Sequence, residues 1–529
     1  MDIRELPLDR AEQIVRSLTL EQKIGQMVIA SIEVTEMDSR TRAFLRDNRI
    51  GNVILFGKNC AGRTQLAALN RAIQDEVTAA TGLQALISID QEGGRVTRIR
   101  KGATVFPSAM SVGASGGPDN AFVTGYIMGT EMKALGIFHD LAPVLDCNLD
   151  DDPPAHSNRS YAIDPEAVAQ YAGAMARGLR AAGILDCGKH FPGRGHGRGD
   201  THFEFVVNCD TREEIMEKRL VPFRAAMRDG MCSIMTSHTC YPALDDRCIP
   251  NTVSDVVLQG LCRQQLGFRG LILSDDVLMA AVEQKYGAAN AAVLAAQAGC
   301  DMVIIGNGGD NADPDGIDIQ PPIVARMVEA ARSGELSMER VDDSVRRIVA
   351  FKLALGDMYP AENAGALNWA AHEAFARAIA QQAARVSRDT AGLLPLPAGT
   401  IFLSRKSFAR LGVEEGDQLF DSFAPLAAAR TGGKAVEFDE SPDLHALGAE
   451  IAAAPAVVFS VINEAECVRL LEDIRAVHRL NPRLCFVCLD SPHILRHVPF
   501  APCAVYGCDQ SIQSVRAVCD LLTKEAKPC

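Results

Sequence analysis

ILDCGKHFPGRGHGRGDTH, residues 184–202, joins an apolar run to a loop dense in reactive side chains. Ile184 and Leu185 open a predicted strand that ends at Lys189 and His190. The fourteen residues from Lys189 to His202 then hold a lysine, three histidines, an aspartate, four glycines and a proline. The glycines and Pro192 oppose regular structure, so the segment is expected to be a mobile loop outside the core. It leaves the end of a strand, where scaffolds place catalytic groups. Two plainer readings stand beside this one: a solvated surface loop, and a metal site built from His190, His196 and His202. The metal reading lacks the helical HxxxH spacing or paired cysteines that mark zinc.

Outward from this stretch, apolar β-branched runs recur through the first three hundred residues. They are 24–31, 51–56, 84–90, 139–146, 184–190, 232–238, 270–276 and 301–306, and most are spaced by segments of helical periodicity. Near-continuous apolar strands alternating with helices imply a parallel sheet buried on both faces, and eight of them imply a (β/α)8 TIM-type barrel. Active sites of that fold lie at the carboxyl ends of the strands. Asp90, Asp146, Lys189, His190, His238 and Asp275 each fall at the last residue or two of a predicted strand. For His238 or Asp146 alone, core packing is a plausible role; polar residues ending five of eight strands point to a shared site.

The segment Lys-His-Phe-Pro-Gly-x-Gly followed by Asp-Thr-His resembles the signature of glycoside hydrolase family 3, in its β-N-acetylhexosaminidase branch. Four further blocks follow the family's order: ISIDQEGGRVTR (87–98), LAPVLDCNLDDDPPAHSNRSYAIDP (141–165), MTSHTCYPALD (235–245) and GLILSDDVLMAA (270–281). The resemblance implies Asp275 as nucleophile, His202 as general acid/base and Asp200 as its orienting partner. It further implies Asp90, Arg159, Lys189, His190, His238 and Asp146 as contacts to the sugar. One departure is Arg194, where the family usually has histidine. A competing register matches Gly199, Asp200 and Thr201 to the family's internal Gly-Asp-Thr and leaves the acid/base unassigned. Arg194 and Arg198 add two guanidinium groups to the loop, suited to an anionic acceptor or a substrate carboxylate, or simply to solvent and nearby acids such as Glu204.

These residue types suit retaining glycoside cleavage, which needs a carboxylate nucleophile and a second group that donates and then removes a proton. Histidine holds a pKa near the working pH without the burial a glutamate requires. Asp276, beside the nucleophile, is expected to accept hydrogen bonds from its neighbours. The reading is therefore a retaining exo-β-N-acetylglucosaminidase acting on small soluble glycans such as muropeptides or chitin fragments, with no cofactor and no metal. A phosphorylase or a β-glucosidase of the same family is the alternative, and a non-catalytic sugar-binding protein a third.

At 529 residues the chain exceeds what one core supports. It divides into a catalytic domain over 1–357, a linker and connecting helix over 358–380, and a smaller doubly wound α/β sandwich over 381–529. In the last, GTIFLSR, AVEFD, PAVVFSVI, LCFVCLD and CAVYGC alternate with helical runs, while HEAFARAIAQQAARVSRD reads as the entering helix. No glycine-rich phosphate fingerprint occurs there, so this domain is read as structural or as a wall of the cleft. A formal charge of −14 argues against nucleic acid. No apolar stretch long enough for a membrane span or signal peptide occurs, which suggests a cytoplasmic protein without a membrane partner. The sixteen cysteines are then expected as thiols. Cys485 and Cys488, spaced CxxC, lie in a predicted strand and are expected to point to opposite faces.

Overall fold

The structure, a computed structural model, describes residues 3–147, 158–195, 201, 203–306, 316–362, 366–406 and 422–523. Its first half contains eight parallel strands: β1 (Val28–Ser31), β2 (Asn52–Leu55), β3 (Leu86–Ile89), β4 (His139–Asp140), β5 (Cys187–Phe191), β6 (Ser233–Thr236), β7 (Leu271–Leu273) and β8 (Val303–Ile305). Seven fall within the predicted runs, and β5 passes the end of its run by one residue, Phe191. Two sheets, β8-β1-β2-β3-β4 and β5-β6-β7, carry the ladders. Parallel bridges His139↔Leu185 and Val144↔Lys189 join β4 to β5, and Leu273↔Met302 joins β7 to β8, so the pairings close a ring.

Local departures from the predicted runs have local causes. Ile24–Gln26 finish a helix, Leu20–Gln26, whose start is held by a reciprocal Thr19–Gln22 capping box. The fourth run shortens to two residues because Pro143 brings no N–H to a ladder. Its continuation still reaches β5, through Cys187 N–H to Ala142 O at 2.8 Å and Leu145 N–H to Lys189 O at 2.6 Å.

A buried polar bridge crosses between strands of the ring. His139 on β4 joins Ser88 Oγ on β3 (3.0 Å) to Ser233 Oγ on β6 (2.9 Å). Burial pushes its pKa down to about 3, so the ring is a neutral spacer. At the amino end of β8, fully buried Asp301 meets Arg340 (2.7 Å) and Arg347 (3.0 Å) from helix Met338–Leu355. Arg263 reaches it at 2.5 Å from the helical segment Val256–Gln265, and the Ile272 amide at 3.0 Å. Charges at this end of such a ring serve stability rather than chemistry.

The second half forms a six-stranded sheet from β9 (Arg385–Asp389), β10 (Ile401–Arg405), β11 (Lys434–Phe438), β12 (Val457–Val461), β13 (Leu484–Cys488) and β14 (Cys503–Tyr506). The order is β9-β14-β13-β12-β10-β11, with β10 to β14 parallel and β9 antiparallel to β14. Numbered from β10, the parallel part runs 2-1-3-4-5, a doubly wound order. Separate apolar clusters cover its two faces, one around Phe402 and Val487, the other around Leu403 and Phe486. Cys485 belongs to the first and Cys488 to the second, on opposite faces as their spacing implied.

One expectation is corrected here. The entering helix covers only Trp369–Ala383, and Arg385–Asp389 form the edge strand β9. The chain turns extended at Ala384 (ψ 136°), and β-branched Val386 pairs with Val505. The helix itself places Ala376 and Ile379 in the core of the first half and Ala380 in that of the second. Ser108 donates from its amide to Asp509 Oδ2 (3.2 Å) and from its hydroxyl to Cys508 O (2.9 Å), tying the sheet's last turn to the first half. Among the described residues, no helix is long and apolar enough to cross a membrane.

Candidate active site

The carboxyl ends of the ring's strands bring together most of the singled-out residues. β5 carries Lys189 and His190, and its register against β6 shifts between Gly188 and Phe191. Such an irregularity re-aims side chains. Lys189 Nζ meets Asp90 Oδ1 at 2.6 Å and Glu92 Oε1 at 2.7 Å. Glu92 in turn holds Arg159 through both oxygens, 2.8 Å to Nε and 2.8 Å to Nη2. The other oxygen of Asp90 faces Arg98 Nη2 at 3.6 Å. Five charged groups from three stretches of chain thus form one buried, alternating network.

His190 is organised separately. Its Nδ1 lies 2.7 Å from Asp146 Oδ2, and its amide and that of Arg194 donate to Asp146 Oδ1 at 3.2 and 2.9 Å. Asp146 therefore shapes the turn after β5 as well as the imidazole. The strand ends one residue beyond the predicted Lys189–His190, at Phe191, and the expectation that the segment from Lys189 lies outside the core is corrected for its first part: Lys189 through Arg194 are buried. Burial is tolerated because each charge has a partner in hydrogen-bonding reach.

The electrostatics follow from these pairs. Burial alone would raise the Glu92 and Asp146 carboxyls, but Arg159 and Lys189 hold the first below the ordinary carboxylate value. His190 and Arg194 do the same for the second. Burial would lower Lys189, yet Asp90 and Glu92 raise it, so the ammonium stays charged. Asp140, ending β4, goes the other way: desolvation pushes its carboxyl well above the usual range, and one oxygen accepts the Gln91 amide at 3.0 Å.

Across the ring, half-buried Asp275 follows β7. Its amide donates to Thr236 Oγ1 at 3.3 Å, and its Oδ1 accepts the Asp276 amide at 2.9 Å. Asp276 Oδ1 accepts the amides of Leu278 (3.0 Å) and Gly306 (2.9 Å), the structural part expected of it. His238 braces the same turn, with Nε2 2.8 Å from Asp276 O and Nδ1 2.7 Å from Thr252 Oγ1. A carbonyl acceptor at Nε2 requires the proton there. His238 thus stands behind the turn that bears Asp275.

Asp200 and His202 lie outside the described residues, as do His196 and Arg198 of the alternative readings. Their described neighbour Thr201 is held at both sides: Arg194 Nη2 donates to its Oγ1 at 3.3 Å, and its carbonyl accepts the Ala281 amide at 3.3 Å. Arg194 is buried against this threonine rather than directed at solvent. Residues the sequence reading missed are Glu92 and Arg98. A signal for the first existed, since Glu92 follows Asp90 by two, the interval that returns a side chain to the same face of an extended chain.

Carboxylates and cations converge above a parallel ring, and residues 19–351 match the Glycosyl hydrolase family 3 N terminal domain, which makes the chain a glycoside hydrolase. The chain belongs to that family. A β-hexosaminidase from Nitrosomonas eutropha is 37% identical over 291 residues, covering 54% of this chain and 81% of the relative. Another from Thiobacillus denitrificans is 38% identical over 285 residues, 53% of this chain and 77% of the relative. Among solved structures, a glycoside hydrolase family 3 β-N-acetylglucosaminidase from Paenibacillus sp. str. FPU-7 superposes with a TM-score of 0.86 at 27% identity, covering 96% of this chain and 97% of the other.

Proposed function

We propose that the protein is a retaining exo-β-N-acetylglucosaminidase that removes terminal N-acetylhexosamine from small glycans. The observation that carries this reading is the Asp90–Lys189–Glu92–Arg159 network, a fixed set of donors and acceptors opposite Asp275 in the ring. In this reading Asp275 attacks the anomeric carbon, and His202, oriented by Asp200, protonates the departing oxygen and later activates water. Asp90, Arg159, Lys189 and His190 hold the sugar hydroxyls. Asp146 fixes His190, and His238 braces the nucleophile's turn. The relatives' activities support the choice of N-acetylhexosamine.

Glu92 then acts through its two cations. Glu92→Gln keeps the volume but removes the charge, so Arg159 loses its two-pronged partner and Lys189 one of two carboxylates. The expected result is a folded enzyme with kcat/KM reduced about 10–100-fold, mainly through KM, because ground-state contacts weaken along with those in the transition state. Steady-state kinetics on an aryl β-GlcNAc would show it, and an unchanged KM would count against the assignment.

Hydrolysis is favoured over phosphorolysis by the relatives matched at 37% and 38% identity, both β-hexosaminidases. Product analysis on p-nitrophenyl β-GlcNAc and β-glucoside, with and without millimolar phosphate, tests both choices. Free GlcNAc at a phosphate-independent rate is expected. Release of GlcNAc-1-phosphate, or preference for the glucoside, would overturn the reading.

A further inference from the structure

The turn after β6 joins two cysteines to the base of the loop that runs from β5 toward residue 202. Cys240 and Cys248 place their sulfur atoms 2.7 Å apart, with seven residues between them. Cys240 is completely buried and Cys248 partly exposed, and both are thiols. A second close pair, Cys485 and Cys503 at 3.2 Å, is sealed inside the second sheet on both sides and offers no approach.

Cys240 does more than sit beside its partner. Its amide donates to Val206 O at 2.9 Å and its carbonyl accepts the Asn208 amide at 2.8 Å, a parallel bridge that receives the returning limb of the loop. Asn208 reaches back to the outgoing limb, with Nδ2 donating to Arg194 O at 3.0 Å. The next residue, Tyr241, donates its hydroxyl to Gly193 O on that same outgoing limb. Both limbs are therefore anchored on the dipeptide Cys240–Tyr241. On its other side Cys240 bridges Pro250, so the segment to Cys248 is a closed turn. It is tightened by Leu244 and Asp245 amides on Tyr241 O and by the Cys248 amide on Asp245 O.

We propose that Cys240 and Cys248 are a modification site: a vicinal thiol pair that low-molecular-weight disulfides oxidise to an intramolecular disulfide, stiffening the base of the loop. Cys248, the accessible sulfur, attacks one sulfur of glutathione disulfide as the thiolate; the S–S bond breaks, and one glutathione leaves and takes up a proton. Cys240 then gives its proton to solvent and attacks Cys248 Sγ, releasing the second glutathione. Two protein thiols are oxidised and one disulfide is reduced to two thiols. Burial and the adjoining sulfur push the Cys240 thiol up to about 12, which makes it the second, intramolecular nucleophile.

Exposed Cys209 lies beside this base and would compete for the reagent, so the test uses the full chain carrying Cys209→Ser. After treatment with glutathione disulfide, peptide mapping should show residues 240 and 248 cross-linked, two thiols lost, and both restored by dithiothreitol. Amide exchange at Cys240 and Asn208 should slow several-fold in the oxidised protein, and not after the same treatment of a protein that also carries Cys248→Ser. A stable glutathione adduct on Cys248, two surviving thiols, exchange unchanged by the cross-link, or slowing that persists with Cys248→Ser would each overturn the proposal.

Discussion

Asp275→Ala is expected to lower kcat for β-GlcNAc substrates by about a thousandfold or more while leaving the protein folded. Each tenfold step is about 1.4 kcal/mol of barrier, so the loss exceeds about 4 kcal/mol, a size that positioning effects rarely reach and that loss of a covalent nucleophile does. The fold should survive because Asp275 is only half-buried, and its Oδ1 accepts the amide of its own chain neighbour, Asp276. Asp276→Ala provides the contrast. It strips acceptors from the Leu278 and Gly306 amides, so its effect should be milder on turnover and visible in thermal stability. Asp275→Ala retaining more than about a thousandth of wild-type turnover would remove Asp275 from the role, and equal losses in both variants would make the turn's geometry the cause.

The second large effect is on stability. Asp301 is fully buried and is the shared counter-ion of Arg263, Arg340 and Arg347. Burial by itself would raise its carboxyl, but the three guanidinium groups hold it below the ordinary value. Asp301→Ala leaves cations packed together without their anion, a change that costs about 3–5 kcal/mol when a buried pair is broken from one side. Urea unfolding should show that loss, and a loss under about 1 kcal/mol would mean that solvent or relaxation screens the cluster. The pH dependence has a definite sign. A carboxyl whose folded pKa is depressed contributes its stability above the unfolded value near 3.9 and loses it as pH falls toward the folded one. Wild type should weaken steadily below about pH 5, and Asp301→Asn should flatten that decline.

How much was legible in the sequence depends on the range of the interaction. The eight ring strands were visible because each is a short apolar run read from adjacent residues. Lys189, His190, Asp90, Asp146 and Asp275 were visible because they end those runs. Their pairing was not: nothing local says that Lys189 will meet a carboxylate 99 positions away, and that contact is what lets the charged end of the strand lie buried. The Asp301 cluster, with partners 38 to 46 residues off, is of the same kind. Strand β9 escaped for the opposite reason. Arg385–Asp389 directly follow a strong helical stretch and have no strand character until β14, over a hundred residues later, supplies the ladder.

The alternating network around Lys189 also has a kinetic consequence. Asp90 and Glu92 offset all but one of the positive charges on Lys189, Arg159 and Arg98, so this part of the site presents a neutral sugar with a pattern of local dipoles and only a weak net field. Capture of such a substrate gains nothing from long-range steering, and its encounter rate should be indifferent to ionic strength. The same dipoles are already oriented before the sugar arrives, since each group is locked by its neighbours. Little reorganisation of the surroundings is then left for the moment when charge develops on the ring.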